Sequence, residues 1–132
     1  MSNPPEPQTP GGMMVLRTVA MPKDTNPNGD IFGGWIMAQM DIAAGIVAKQ
    51  VARSRAATVA VDAIRFLRPV GVGNVVTCYG KLERIGNTSM TIKVEVWATL
   101  ADQAIEQEHC VTEAAFTFVA IDDDGRPIPV KR

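Results

Sequence analysis

The chain is short of the residues on which thiol, metal and triad chemistry depend. Its 132 residues include one histidine and two cysteines. A serine or cysteine triad needs a histidine partner, and His109 is the one imidazole available. Cys78 and Cys110 lack CxxC spacing, and no His/Cys/Asp run has the spacing of metal ligands, so no metal is expected. Two widely separated thiols among strand-like residues fit a reducing, cytoplasmic setting as buried free cysteines. Charge of one sign is also missing. A net charge of −1 gives no global field toward nucleic acid or an anionic membrane, so any anionic ligand needs a local basic cluster. No run is long and apolar enough to span a bilayer, because the most apolar stretch carries Gln39, Asp41 and Lys49. The first residues show no basic segment followed by an apolar core, so no secretory signal is expected.

What is present suits one ordinary domain: 46% hydrophobic and 20% charged residues over a length that buries roughly two-thirds of its unfolded surface. Residues 1–12, rich in Pro and Gly, read as a flexible arm, residues 13–123 as the domain, and residues 124–132 as a tail. A short strand is expected over Met13–Ala20, then a loop of turn formers from Met21 to Asp30. A helix is expected from Gly33 to about Ala52, apolar on most of its circumference and therefore wrapped by other structure. Strands follow over Thr58–Leu67, Asn74–Ile85, Ser89–Leu100 and Glu108–Ile121, the middle two joined by the hairpin signal Gly86-Asn87-Thr88. Asp122-Asp123-Asp124-Gly125 reads as a solvated turn and lacks the rest of a calcium loop. One helix and a run of antiparallel strands make an α+β domain. Its open sheet edges predict pairing between subunits.

The residue that stands out is Asp41, a lone carboxylate among small and apolar helical neighbours. Positions three and four away hold Met37, Ala38, Ala44 and Gly45, with no cation to compensate it. Such a carboxylate is a candidate for acid/base or nucleophilic work. The alternatives are bonding to a backbone N–H or a place at a wet subunit contact. Ala38, Asp41, Ala44, Gly45 and Ala48 are expected to share a small-residue face that permits close approach of a second helix.

Asp24-Thr25-Asn26-Pro27-Asn28-Gly29-Asp30-Ile31-Phe32-Gly33-Gly34-Trp35-Ile36-Met37, followed by Met40-Asp41, resembles the signature of hotdog-fold acyl-CoA thioesterases. The group it is similar to is the YciA-type and cytosolic acyl-CoA hydrolase group. Phe66-Leu67-Arg68-Pro69-Val70-Gly71-Val72-Gly73 and Val94-Glu95-Val96-Trp97 resemble the same group, and the likeness runs from about Arg17 to Asp122. The resemblance implies a long central helix wrapped by an antiparallel sheet, two subunits joining their sheets, and hydrolysis of acyl-CoA to fatty acid and CoA without a cofactor. It further implies a homodimer as the minimal unit and a trimer of dimers as the larger assembly. The acidic residue of the helix, as general base or nucleophile, falls on Asp41, the loop amide on Asn26, and the helix-start glycines on Gly33 and Gly34. Some relatives carry a hydroxyl on the strand after the helix; here Thr58 is near that place, and Val59-Ala60-Val61 occupy the strand centre.

Thioester hydrolysis builds negative charge on a carbonyl oxygen, and the first turn of a helix supplies unpaired N–H donors for it. Glycine there admits close approach of the acyl group. From Gly34 to Asp41 the helix rises roughly 10 Å, too far for both to act on one carbonyl. Two antiparallel helices solve this, each lending its start to one site and its Asp to the other. For the CoA phosphates Arg68 is the leading candidate and Ser89 a weaker one, with Arg65, Arg84 and Lys93 nearby in sequence. Phe66, Ile36, Met37 and Met40 are candidates for lining the acyl slot. Two rival readings are an acyl-thioester dehydratase or hydratase, which would need His109 beside a carboxylate, and a non-catalytic acyl-CoA-binding module.

Overall fold

The computed structural model describes residues 5–100 and 102–130. Met1 to Pro4 of the expected arm and the last two residues of the tail lie outside the described residues. Five strands, β1 (Met13–Val19), β2 (Arg55–Phe66), β3 (Val75–Ile85), β4 (Ser89–Thr99) and β5 (His109–Ile121), accompany one long helix, α1 (Gly33–Ala52). The sheet is antiparallel in the order β1-β3-β4-β5-β2, so β1 and β2 are its edges. This is the expected α+β, hotdog architecture.

The helix packs on one face of the sheet. Ile36, Met40, Ala44 and Ala48 from α1 meet Met90, Ile92, Val94 and Phe116 from the strands, all of them buried. Alternation in β4 and β5 sends Val and Phe inward and leaves Glu95 and Glu113 for the outer face. Cys78, within this core, and Cys110, buried beside Trp97 outside it, are free thiols, and burial pushes both up to about 12. The helix ends at Arg53 in the left-handed region (φ 52°), with its N–H bonded to the Lys49 carbonyl.

Three features differ from expectation. First, α1 is wrapped on one side only: Ala38, Asp41, Ile42, Ile46 and Lys49 are exposed in the protomer. The small-residue face therefore splits, because Ala44, Gly45 and Ala48 are buried beneath the sheet and only Ala38 and Asp41 look outward. A Cβ added at Gly45 would make an ordinary 3.6 Å contact with the Phe118 ring, so that position faces the sheet. Second, β2 begins at Arg55 rather than Thr58, since the ladder with β5 draws in Ala56 and Ala57 despite their weak strand preference. β2 is also kinked, with a register shift between Asp62 and Arg65 and Ala63 in the left-handed region (φ 52°). Third, both chain ends dock. Gly11 donates its N–H to Glu95 Oε1 at 3.0 Å, Glu6 pairs with Arg68 at 2.7 Å, and Val130 is buried with its N–H on the Asn87 carbonyl.

Candidate active site

The loop before α1 is built around Asn26. A bridge between Thr25 and Ile31 closes the loop, and the Asn26 N–H donates to the Asp30 carbonyl at 2.7 Å. Asn26 Oδ1 accepts the N–H groups of Asn28 (2.9 Å) and Asp30 (3.2 Å), a turn that requires the positive φ (88°) of Gly29. With its oxygen used twice, the carboxamide keeps Nδ2 as a donor without a partner among the described residues. The loop is tied down where Ile31 donates to the Val70 carbonyl and Phe32 to that of Asp24.

Phe32 is the N-cap of α1, an apolar residue where Ser, Thr, Asp or Asn is favoured. No side chain caps this end and its first turn holds no acidic residue. Gly33 and Gly34 thus begin the helix with N–H groups that have no acceptor inside it. The peptide dipoles add partial positive charge at the same place. A Cβ at Gly33 would lie 3.3 Å from Phe66 Cζ, so the glycine lets that ring close over the helix start. Asn26, Gly33, Ile36, Phe66, Arg68 and Val70 line a cleft of about 380 Å³. Gly34 lies beside the ring of Phe32, whose Cε2 would be 2.6 Å from an added Cβ.

Asp41 sits in a second cleft of about 310 Å³, with Ile46, Lys49, Ala56, Thr58 and Phe118 among its walls. It is exposed in the protomer, and Thr58 donates its hydroxyl to Asp41 Oδ1 at 2.5 Å. This is the bond that the residue pattern left open: the two positions are 17 apart, and no local signal links them. One protomer therefore brings Asn26, Gly33, Phe66 and Arg68 together, brings Asp41 and Thr58 together, and keeps the two groups in different clefts.

Other expected residues are placed elsewhere. Ser89 starts β4 at the hairpin and lines neither cleft. Met40 is fully buried in the core, whereas Phe66 is half exposed and can face an acyl group. Arg65 is held by Glu113 at 3.1 Å. Arg68 lines the first cleft, donates to the Cys110 carbonyl at 3.0 Å and carries Glu6, a contact with no signal in the residue pattern. His109 opens β5 beside Trp97 and Glu108 and lines neither cleft, so within the protomer it does not pair with Asp41. Tyr79, bonded to Glu108 at 2.5 Å, is pushed up to about 12 by burial and by that carboxylate. Among the described residues no helix is long and apolar enough to cross a membrane.

Residues 28–101 match the family described as the thioesterase superfamily. An uncharacterized acyl-CoA thioester hydrolase of Haemophilus influenzae is 52% identical over 122 residues, 92% of this chain and 79% of that protein. The acyl-CoA thioester hydrolase YciA of Escherichia coli is 52% identical over 125 residues, covering 92% of this chain and 95% of its own. The crystal structure of the hexameric thioesterase y2039 from Yersinia pestis superposes with a TM-score of 0.87 at 50% identity, covering 95% of this chain and 100% of that one.

Proposed function

The chain belongs to the thioesterase superfamily, and from that premise we propose that it hydrolyses acyl-CoA to a free fatty acid and CoA in a site shared by two subunits. The observation that carries the reading is the separation of donors and carboxylate into two clefts of one protomer. In an antiparallel helix pair, the Gly33 start of one chain meets Asp41 of the partner subunit, and a homodimer is the smallest working unit. The thioester oxygen then accepts the N–H groups of Gly33 and Gly34 and the free Nδ2 of Asn26. These donors strengthen as the oxygen becomes an anion. Asp41 takes a proton from water, whose oxygen bonds to the carbonyl carbon. Collapse breaks the C–S bond, and the thiolate leaves with the proton returned by the Asp41 carboxyl. Direct attack by Asp41 through a mixed anhydride uses the same geometry. Thr58 acts as a positioning residue: its hydroxyl occupies Oδ1 and leaves Oδ2 for the water.

Arg68 takes an anionic group of CoA, with Glu6 as the counter-ion it gives up. The catalytic domain is residues 13–123 with an arm over 1–12 and a tail over 124–132, working in the cytoplasm. Three dimers make the full assembly, as the hexameric state of the Yersinia pestis relative suggests.

Thiol release from a panel of acyl-CoAs tests the reading. Asp41→Asn is expected to lose about 10²–10⁴-fold in kcat while keeping its fold, the range for a lost general base. Unchanged turnover removes Asp41 from the chemistry. Failure of the wild-type protein to release thiol from any acyl-CoA leaves a binding module.

A further inference from the structure

A cleft of about 590 Å³ lies between β1, β3 and the C-terminal half of α1, separated from the Asp41 cleft by Ile46, which lines both. Its walls are mostly apolar, with Met13, Met14, Val15, Ile46, Val47 and Leu82 forming them. Met13 is 79% exposed and Met14 54%, an unusual cost for two large apolar side chains at the start of a strand. β1 is also a sheet edge whose outer side has no partner strand among the described residues.

We infer that this groove and the Met13–Met14 ridge beside it form the contact through which one dimer of this chain binds the next. The inference rests on the three-dimer reading above and adds the surface responsible. If β2 edges meet at the dimer axis, the strand order puts β1 at both ends of the joined sheet. A closed ring of three dimers needs a second, self-complementary contact. The sheet ends are where a ring of three such sheets closes, on a second set of two-fold axes.

The groove has the features of such a contact. Ridge and groove adjoin on the same protomer, so a two-fold axis sets the methionines of each copy into the groove of the other. Methionine is unbranched and fills irregular apolar space readily. The ridge is held firmly: a Cβ at Gly12 would fall 2.4 Å from the Gly80 carbonyl oxygen, so the chain entering β1 lies directly on β3. Gln50 and Lys81 supply the polar members of the lining, the composition of an interface with a wet edge.

The test is the mass of the full-length protein by size-exclusion chromatography with light scattering, on wild type and on a Met13→Glu/Met14→Glu double variant. The wild type is expected at six chains and the variant at two. Two unpaired carboxylates brought into a dry contact raise the dissociation constant by at least about a hundredfold. Circular dichroism and acyl-CoA turnover per chain are expected to stay within about twofold of wild type, since an exposed substitution away from the catalytic clefts perturbs little. Should the double variant unfold, Met13→Lys alone places one charge at the most exposed position. It is expected to dissociate on dilution where wild type does not. A folded variant that remains hexameric overturns the inference. So does one that remains hexameric and loses long-chain substrates, which would make the groove an acyl channel. A wild type of two chains overturns the three-dimer reading itself, and this surface falls with it.

Discussion

At the start of α1 the cleft presents donors: the helix start at Gly33, the Nδ2 of Asn26 and the guanidinium of Arg68. About two turns later, the cleft around Asp41 presents an acceptor, with Thr58 bonded to one of its oxygens. One is prepared for a developing anion and the other supplies a base, yet one rigid helix holds them apart. In the proposed reaction each protomer supplies half of two sites, and the chemistry belongs to the pair.

Complementation breaks that comparison most severely. Asn26→Ala is expected to lose about a hundredfold in kcat through a missing oxyanion donor. Asp41→Asn is near inactive on the same assay. Co-expressed with different tags, the two variants form mixed dimers in which one of two sites is intact. Random pairing makes half the dimers mixed, so activity returns to about a quarter of wild type. Recovery no greater than the sum of the two variants would place donors and carboxylate in one chain.

Thr58→Val sharpens the acceptor side. It leaves Asp41 without its bond and is expected to reduce kcat about tenfold with KM little changed, a loss on the scale of one hydrogen bond to a charged group. Thr58→Ser is expected to recover most of the rate. A loss in KM alone, or no recovery with Ser, would make Thr58 a structural residue.

Phe32→Asp sharpens the donor side with the smallest expected effect. A carboxylate at the N-cap would bond the free N–H groups and raise stability by about 1 kcal/mol, read as a higher melting temperature. The same bond takes donors from the substrate, so turnover is expected to fall severalfold. A variant both more stable and as active would show that these amides do not serve the reaction.

Much of this was legible in the residues. Gly33 marked the helix start, and alternation in Ser89–Leu100 and Glu108–Ile121 located β4 and β5 within a residue or so of their observed bounds. Asp41 stood out alone among small neighbours, and the structure places it in a cleft with Thr58. Long-range partners were not legible. Thr58 reaches Asp41 only because β2 runs beside α1, and Glu6 reaches Arg68 only because the arm crosses the outer face. Which side of α1 faces the sheet was misread too, since Ala and Gly suit a helix–helix and a helix–sheet contact equally. There the Phe118 ring decides, by packing on Gly45.

The kink at Ala63 has a consequence for how the molecule behaves in a crowded cell. An uninterrupted, flat border strand invites foreign chains to add on and seed fibres. By turning the backbone through the left-handed region, Ala63 interrupts a β2 border that already shifts register between Thr58 and Ala60, and leaves no long flat run for a foreign strand.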